Sequence, residues 1–195
     1  MSTKAFTLVE TLVAITVMTI ATLAPFAAVQ QVMRASNLSH DQLVASSLAQ
    51  EAVEYVRFVR YTNWLKSEEN EGGTGEYEPL KGLNGTSGPN CLGTNTCTID
   101  ARKAPYSGST LQGAAYCTAS GANPCARLYR TAEGLYTQDA SETDGTANTQ
   151  TEFLRTVSVD ESTEGDGYVT VTVRVTWTDR GTHEIELEEN LYNWL

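Results

Sequence analysis

The chain has 195 residues and a mass of 21.2 kDa, which is enough for one compact domain and too little for two ordinary ones. Its 24 acidic and 13 basic residues give a net charge of −11 at pH 7. So acidic a chain disfavours a dominant role in binding nucleic acid, and no nucleic-acid partner is expected. The mean hydropathy of −0.28 is an average over two unlike parts, because residues 1–29 contain only two charged side chains, Lys4 and Glu10.

An apolar segment occupies residues 6–29, where every residue is apolar or small except Glu10 and a few threonines. A helix of this length covers roughly 36 Å. Because the hydrocarbon core of a bilayer is about 30 Å thick, we predict a membrane-spanning helix here. Pro25 lies inside the segment, where it either bends the helix or closes the apolar stretch.

Glu10 is the unusual residue of this segment. A carboxylate inside a spanning helix costs a few kcal/mol, about 2.5 to 3.5 for the comparable Asp, so it needs a partner. No Lys, Arg or His follows it before Arg34, on the far side of the span. Cleavage before Phe6 would create an amino group one helical turn from Glu10. This amino group could pair with Glu10 of the same chain or of a neighbouring copy.

Three interpretations of the segment therefore compete. The first is a plain signal anchor, and the second is a secretory signal that is cut near Ala24 or Ala28. The third is the processed subunit of a filament, which accounts for Glu10.

Residues 4–14, KAFTLVETLVA, resemble the prepilin cleavage and methylation motif of type IV pilins and type II secretion pseudopilins. The resemblance implies that a membrane aspartic peptidase removes a cytoplasmic leader, residues 1–5, by cutting between Ala5 and Phe6. It further implies that the new amino terminus of Phe6 is N-methylated and that Glu10 guides docking into the growing filament. The family usually has Gly before the cut, where this chain has Ala5.

The resemblance implies a pilin-like α+β fold and the role of a structural subunit, most like a minor pilin, rather than of an enzyme. The implied partners are other pilin subunits in a helical filament, the prepilin peptidase/methyltransferase, the inner-membrane assembly platform and, before assembly, membrane lipid. The implied location is the inner membrane, crossed once with a cytoplasmic amino terminus, and then a periplasmic or extracellular pilus.

The resemblance does not separate the filament systems, which serve adhesion, DNA uptake or type II protein secretion. Two alternatives from other classes also stay open: a single-pass anchored binding domain or adhesin that never polymerises, and a secreted enzyme.

The second half of the predicted helix, residues 30–65, has apolar residues mostly three or four apart and is therefore amphipathic. Ser39 and Gln42 fit a capping box, so a break near residues 37–40 is possible. We favour one helix from Phe6 to about Trp64. Residues 48–57, LAQEAVEYVR, also resemble the region that follows the membrane segment in minor pilins.

Residues 66–150 are rich in Gly, Ser, Thr and Asn and predict an irregular insert with few regular elements. It contains all four cysteines, Cys91, Cys97, Cys117 and Cys125, at spacings unlike those of structural zinc sites. In an exported chain they predict two disulfides. Of three possible connectivities we prefer Cys91 with Cys97 and Cys117 with Cys125, since each closes a small local loop.

The carboxy-terminal region, residues 151–195, predicts an antiparallel sheet. Valine and tryptophan alternate strictly with polar residues over 169–177, residues 185–191 form a return strand, and residues 153–159 suggest a third strand. We expect the apolar face of this sheet to pack on the outer half of the helix.

Catalytic and metal-binding motifs are absent from the sequence. His40 and His183 are expected at the surface, and the sequence contains no nucleophile elbow, phosphate loop or dinucleotide fingerprint. The acidic stretches 139–144 and 160–166 offer oxygen ligands for calcium but lack EF-hand spacing, so solvated loops are favoured. We predict no catalytic residue, metal or cofactor.

Overall fold

The computed structural model describes residues 7–69, 78–104, 106–107, 109–118, 123–161 and 167–192. The predicted leader, residues 1–5, Phe6 and most of the second acidic stretch lie outside these ranges. The chain is an α+β protein, as predicted, with one long helix and antiparallel sheets. It divides into two compact units, Met1–Leu43 and Val44–Leu195.

One helix, α1, spans Leu8–Glu69 and belongs to both units. It continues through Pro25 and through residues 37–40, where a break was considered. The Ser39 hydroxyl donates a hydrogen bond of 2.8 Å to the Ala35 carbonyl one turn back, so it is used within the helix instead of capping a new one. The helix extends beyond the predicted end at Trp64, and Lys66 lies in its last turn, where a cation is favourable.

The main sheet of the second unit has five antiparallel strands in the order β10-β9-β8-β1-β4. Their bounds are Thr96–Ile99 for β1, Ala114–Cys117 for β4, Leu154–Glu161 for β8, Tyr168–Thr178 for β9 and Thr182–Tyr192 for β10. The last three strands are those that the sequence alternation predicts.

The insert is more regular than predicted, because its described residues supply β1 and β4 to the main sheet and five further strands. A two-stranded sheet pairs β2, Tyr106–Ser107, with β3, Thr110–Leu111. A three-stranded sheet has the order β6-β5-β7, and its strands are β5, Tyr129–Arg130, β6, Tyr136–Thr137, and β7, Thr149–Gln150. The strands of the insert have two to four residues each. Runs this short are too brief to show a period of two, so the sequence carries no sign of them.

The core of the second unit lies between one face of α1 and one face of the main sheet. The helix buries residues three or four apart, Ala45, Leu48, Ala49, Ala52, Val53, Val56 and Val59. Strand β9 buries Val171, Val173, Val175 and Trp177, and the register places Val157 and Arg155 of β8 opposite Val173 and Val175. Residues paired across antiparallel strands share a face, so the predicted buried face of β9 is confirmed.

Strand β10 forms one edge of the main sheet, and it is strongly acidic on the face opposite the buried one. Glu184, Glu186 and Glu188 alternate along the strand and are exposed, and Arg174 of β9 forms ion pairs with the first two. Charged side chains on an edge strand oppose pairing with another chain.

Two disulfides bind the insert to the sheet. Cys91 pairs with Cys97 in β1, and Cys117 at the end of β4 pairs with Cys125, which is the connectivity preferred from the sequence. The Cys91 amide donates to the Leu83 carbonyl at 2.7 Å, and the Cys91 carbonyl accepts from the Val159 amide at 2.9 Å. The first disulfide thus lies where the insert meets β8. A long apolar helix that packs on a disulfide-bonded antiparallel sheet is a pilin-like architecture.

Candidate functional site: the amino-terminal helix

The first turn of α1 is capped by Thr7. The Glu10 amide donates to the Thr7 carbonyl at 3.1 Å and to the Thr7 hydroxyl oxygen at 3.3 Å. Thr7 is therefore the N-cap and Glu10 the third helical residue; these are the two positions of a capping box, and the bond observed is the one from the Glu10 backbone amide to the Thr7 hydroxyl. A carboxylate here also faces the positive end of the helix dipole. Thr-Leu-Val-Glu at residues 7–10 is the sequence signature of these two positions, although the predictions from sequence do not include it.

The helix of the first unit presents apolar side chains on all its sides. Between residues 8 and 33, the large apolar residues at least half exposed are Leu8, Val9, Leu12, Val13, Ile15, Val17, Met18, Ile20, Leu23, Phe26, Val29, Val32 and Met33. An amphipathic surface helix would confine such residues to one stripe. A helix that is apolar all round belongs in an apolar environment, and this one is long and apolar enough to cross a membrane.

The threonines of this segment satisfy their hydroxyls within the helix. The hydroxyls of Thr11, Thr16 and Thr19 donate to carbonyls three residues back at 2.8 to 2.9 Å, and Thr22 donates to the Met18 and Thr19 carbonyls at 3.0 and 3.1 Å. A hydroxyl without a partner is costly in hydrocarbon, and back-bonding removes that cost. The four threonines are therefore compatible with a lipid environment.

Glu10 is the charged residue of this apolar stretch. Its side chain is exposed, and within the described residues no Lys, Arg or His lies within ion-pair distance of it. Ala5 and Phe6, the predicted processing and methylation residues, lie outside the described residues. Their relation to Glu10 thus stays a prediction.

In the second unit, Arg155 fastens the helix to the sheet. It is fully buried in β8, and its guanidinium donates to the Leu48 carbonyl at 2.9 Å, to the Ile99 carbonyl at 2.5 Å and to the Glu51 carboxylate at 2.7 Å. These bonds join α1, β8 and β1 at one point. A buried charge requires such partners, so Arg155 fixes the position of the helix on the sheet.

Three further side chains of α1 bind the insert and β10. The Tyr55 hydroxyl donates to the Gln112 carbonyl, Arg57 pairs with Glu189, and Asn63 donates to the Pro79 and Lys81 carbonyls at 3.0 and 3.1 Å. Burial, with smaller contributions from the nearby Tyr106 and Asp100, raises the pKa of the Tyr55 phenol far above its ordinary value. Tyr55 therefore stays a neutral donor and has no acid–base role near neutral pH.

The first acidic stretch is occupied by hydrogen bonds and ion pairs. Glu142 accepts from Arg102 at 2.6 Å and from Asn148 at 3.2 Å, and Lys103 pairs with Asp139 at 2.9 Å. The hydrogen bond from Arg102 lowers the pKa of the Glu142 carboxyl. In the described part of the chain, no group of three or more His, Cys, Asp or Glu residues is placed to hold a metal ion.

Comparison with known proteins gives no match: no family model, curated protein or solved structure matches this chain.

Proposed function

We propose that this protein is a structural subunit of a type IV pilus-like filament, most like a minor pilin or pseudopilin, and that it is not an enzyme. One observation carries the proposal: a helix that is apolar all round and holds a single carboxylate continues into a helix packed on a disulfide-bonded sheet. The apolar part suits both lipid before assembly and the apolar surface of other subunits afterwards. The same surface therefore serves as anchor and as assembly interface.

The disulfides support an extracytoplasmic location for the second unit. All four cysteines are paired, and disulfides persist in oxidising compartments. With a single membrane span, the amino terminus then lies in the cytoplasm, where a prepilin peptidase/methyltransferase can reach the junction of Ala5 and Phe6.

In the proposed assembly, the amino group of Phe6 on a neighbouring subunit meets Glu10. In a medium of low dielectric this attraction is strong and sets the axial position of each subunit as it leaves the bilayer. The partners are accordingly other pilin subunits and the inner-membrane assembly platform, in a system that serves adhesion, DNA uptake or protein secretion.

The place of Glu10 three residues after the N-cap Thr7 favours a second candidate, a single-pass anchored domain that does not polymerise. If Glu10 only completes the cap at Thr7, its presence needs no filament.

Mass spectrometry of the mature protein from its native host tests the proposal. We expect the chain to begin at Phe6 and to carry a methyl group on its amino nitrogen. An intact Met1 terminus would support the anchored domain, and a terminus near Val29 would support a secreted protein; either result would contradict the filament subunit.

A further inference from the structure

A cleft of about 320 Å³ lies between the outer part of α1 and the end of β10. Its lining residues all belong to the described part of the second unit: Arg57, Arg60, Tyr61, Glu189, Asn190, Leu191 and Tyr192. Pockets for small molecules span roughly 300 to 1,000 Å³, so the volume suits a small ligand.

Arg60 gives the cleft a buried positive charge. Its side chain is nine-tenths buried, with 7% exposed, and Nη2 donates to the Tyr192 carbonyl at 3.0 Å. Its Nε has no hydrogen-bond partner, and among the described residues no carboxylate lies within ion-pair distance of Arg60. A guanidinium has five N–H donors, and a buried cation is costly unless it is paired. Within the described part of the chain, Arg60 therefore has no counter-ion.

The other charges of the cleft neutralise each other. Arg57 forms ion pairs with Glu54 and Glu189, and the hydrogen bond that its guanidinium donates to the Glu189 carboxylate raises the pKa of Arg57. Glu189 is thereby engaged by Arg57 instead of Arg60. Of the charged residues that line the cleft in the described part of the chain, Arg57 and Glu189 balance each other, and Glu54 lies outside the lining. One positive charge, that of Arg60, remains among them, and it matches a monoanion better than a phosphate dianion.

The remaining walls are apolar and aromatic. Leu191 is buried, while Tyr61 and Tyr192 are about half exposed, at 48% and 51%. Aromatic rings combine a large apolar area with little loss of conformational entropy on binding. The walls thus suit an apolar or aromatic body attached to the anion.

We propose that this cleft is a binding site for a small organic monocarboxylate with an apolar or aromatic body, whose carboxylate pairs with Arg60. The two tyrosines and Leu191 contact the body of the ligand. This site is independent of the filament role, because it uses none of the amino-terminal residues.

The test is a titration of the full chain in detergent micelles, labelled with 15N at arginine, with 3-phenylpropionate as the probe. The neutral 3-phenylpropionamide is the matched control for apolar binding and for partition into the micelle. We expect a saturable shift of the Arg60 Nε–H resonance with the acid. The amide should bind at least about tenfold more weakly, since a hydrogen bond to a charged group contributes about 1.5 to 3 kcal/mol.

Two variants locate the binding. Arg60→Gln should abolish binding of the acid, and Tyr61→Ser should weaken it several-fold while it keeps Arg60. Arg174→Gln, which removes an exposed arginine on the other face of the sheet, should bind like the wild type. If Arg60→Gln does not fold, the affinity of Tyr61→Ser for the acid tests the location of the site, because Tyr61 is half exposed and its replacement does not disturb the core.

Four results would each overturn the proposal. The first is that the acid and the amide bind equally well, and the second is that Arg60→Gln or Tyr61→Ser binds the acid as the wild type does. The third is that inorganic phosphate binds as tightly as the acid. The fourth is that the acid binds only after residues 193–195 are deleted. The last result would make the end of the chain itself the occupant of the cleft.

Discussion

At the scale of single residues, Glu10 has two roles to distinguish: charge pairing with a neighbouring subunit, and capping of its own helix. Both use the carboxylate, but only the first needs its charge. Gln at the same position can complete a capping box, whereas Leu can do neither. The side chain at residue 10 can therefore be varied to separate the two roles.

We predict that Glu10→Leu and Glu10→Gln are both inserted and processed but are both poorly incorporated into filaments. Loss of the charge removes the attraction to Phe6 of the next subunit, and Leu makes the helix easier to insert. The measurement is the amount of each variant in sheared filament fractions from a strain that makes only that variant.

Thr11→Leu is the matched control, because Thr11 is adjacent and exposed and its hydroxyl bonds only within the helix, at 2.9 Å to the Leu8 carbonyl. It should be incorporated normally. If Glu10→Gln is incorporated as well as the wild type, Glu10 acts as a capping residue and has no part in docking.

Arg155 carries a prediction about stability. Arg155→Leu removes three hydrogen bonds and leaves the Leu48 and Ile99 carbonyls without their side-chain partner. The Glu51 carboxylate that remains is 37% exposed, so the cost comes from the lost hydrogen bonds, and hydrogen bonds to a charged group contribute about 1.5 to 3 kcal/mol. Urea denaturation should show a loss of that size, which is a large part of the stability of a domain.

Arg174→Leu is the control for this measurement, since Arg174 also has carboxylate partners but is about half exposed. Exposed ion pairs contribute about 0 to 1 kcal/mol, so the variant should unfold nearly like the wild type. Equal losses for the two variants would contradict the role assigned to Arg155.

At the scale of elements, the disulfides compensate for strands that are too short to hold the insert alone. Strands β1 and β4 have four residues each, and a cysteine of each is bonded to a neighbouring loop. Cys91 and Cys97 are both buried at 1% exposure or less, while Cys125 is partly exposed. The two bonds therefore differ in their surroundings.

We predict that the double variant Cys91→Ser/Cys97→Ser is destabilised more than Cys117→Ser/Cys125→Ser. Closing loops of this size contributes about 2 to 3 kcal/mol in the loop-entropy description. The first pair also places two hydroxyls in the core, which adds a desolvation cost. Urea midpoints of the two oxidised variants give the comparison, and the opposite order would show that the second loop is the more important constraint.

At the scale of the whole molecule, the chain joins an apolar amino-terminal segment to an acidic remainder. The two parts require different solvents, and the sequence keeps them apart: Glu10 is followed by no charged residue until Arg34. A chain of this kind is stable either across a bilayer or where other apolar helices replace the lipid.

We predict that the full chain stays in the membrane pellet after an alkaline carbonate wash and that Val13→Asp/Val17→Asp is largely released. Each Asp near the middle of a spanning helix costs about 2.5 to 3.5 kcal/mol. The control Val13→Leu/Val17→Leu keeps the segment apolar and should pellet like the wild type. Release of the wild type by carbonate would contradict a membrane-spanning helix.

The sequence by itself determined the elements whose pattern is long enough to repeat. The apolar segment, the periodic residues after it and the alternating valines of β9 each show their period over several turns or residue pairs, so helix, sheet and buried face could be predicted. For the disulfides, spacing favoured the local connectivity among three, since short loops close most easily, and the structure decided it.

The tertiary structure decided what depends on contacts between residues far apart in the chain. Strands β1 and β4 have too few residues to show a period; β1 forms on the edge of β8, and β4 forms on the other edge of β1. Arg155 looks in the sequence like a polar residue in an apolar strand, and only the approach of Leu48, Glu51 and Ile99 explains it. That Arg60 has no counter-ion among the described residues is likewise known only from the structure, because pairing of buried charges depends on distance and not on sequence order.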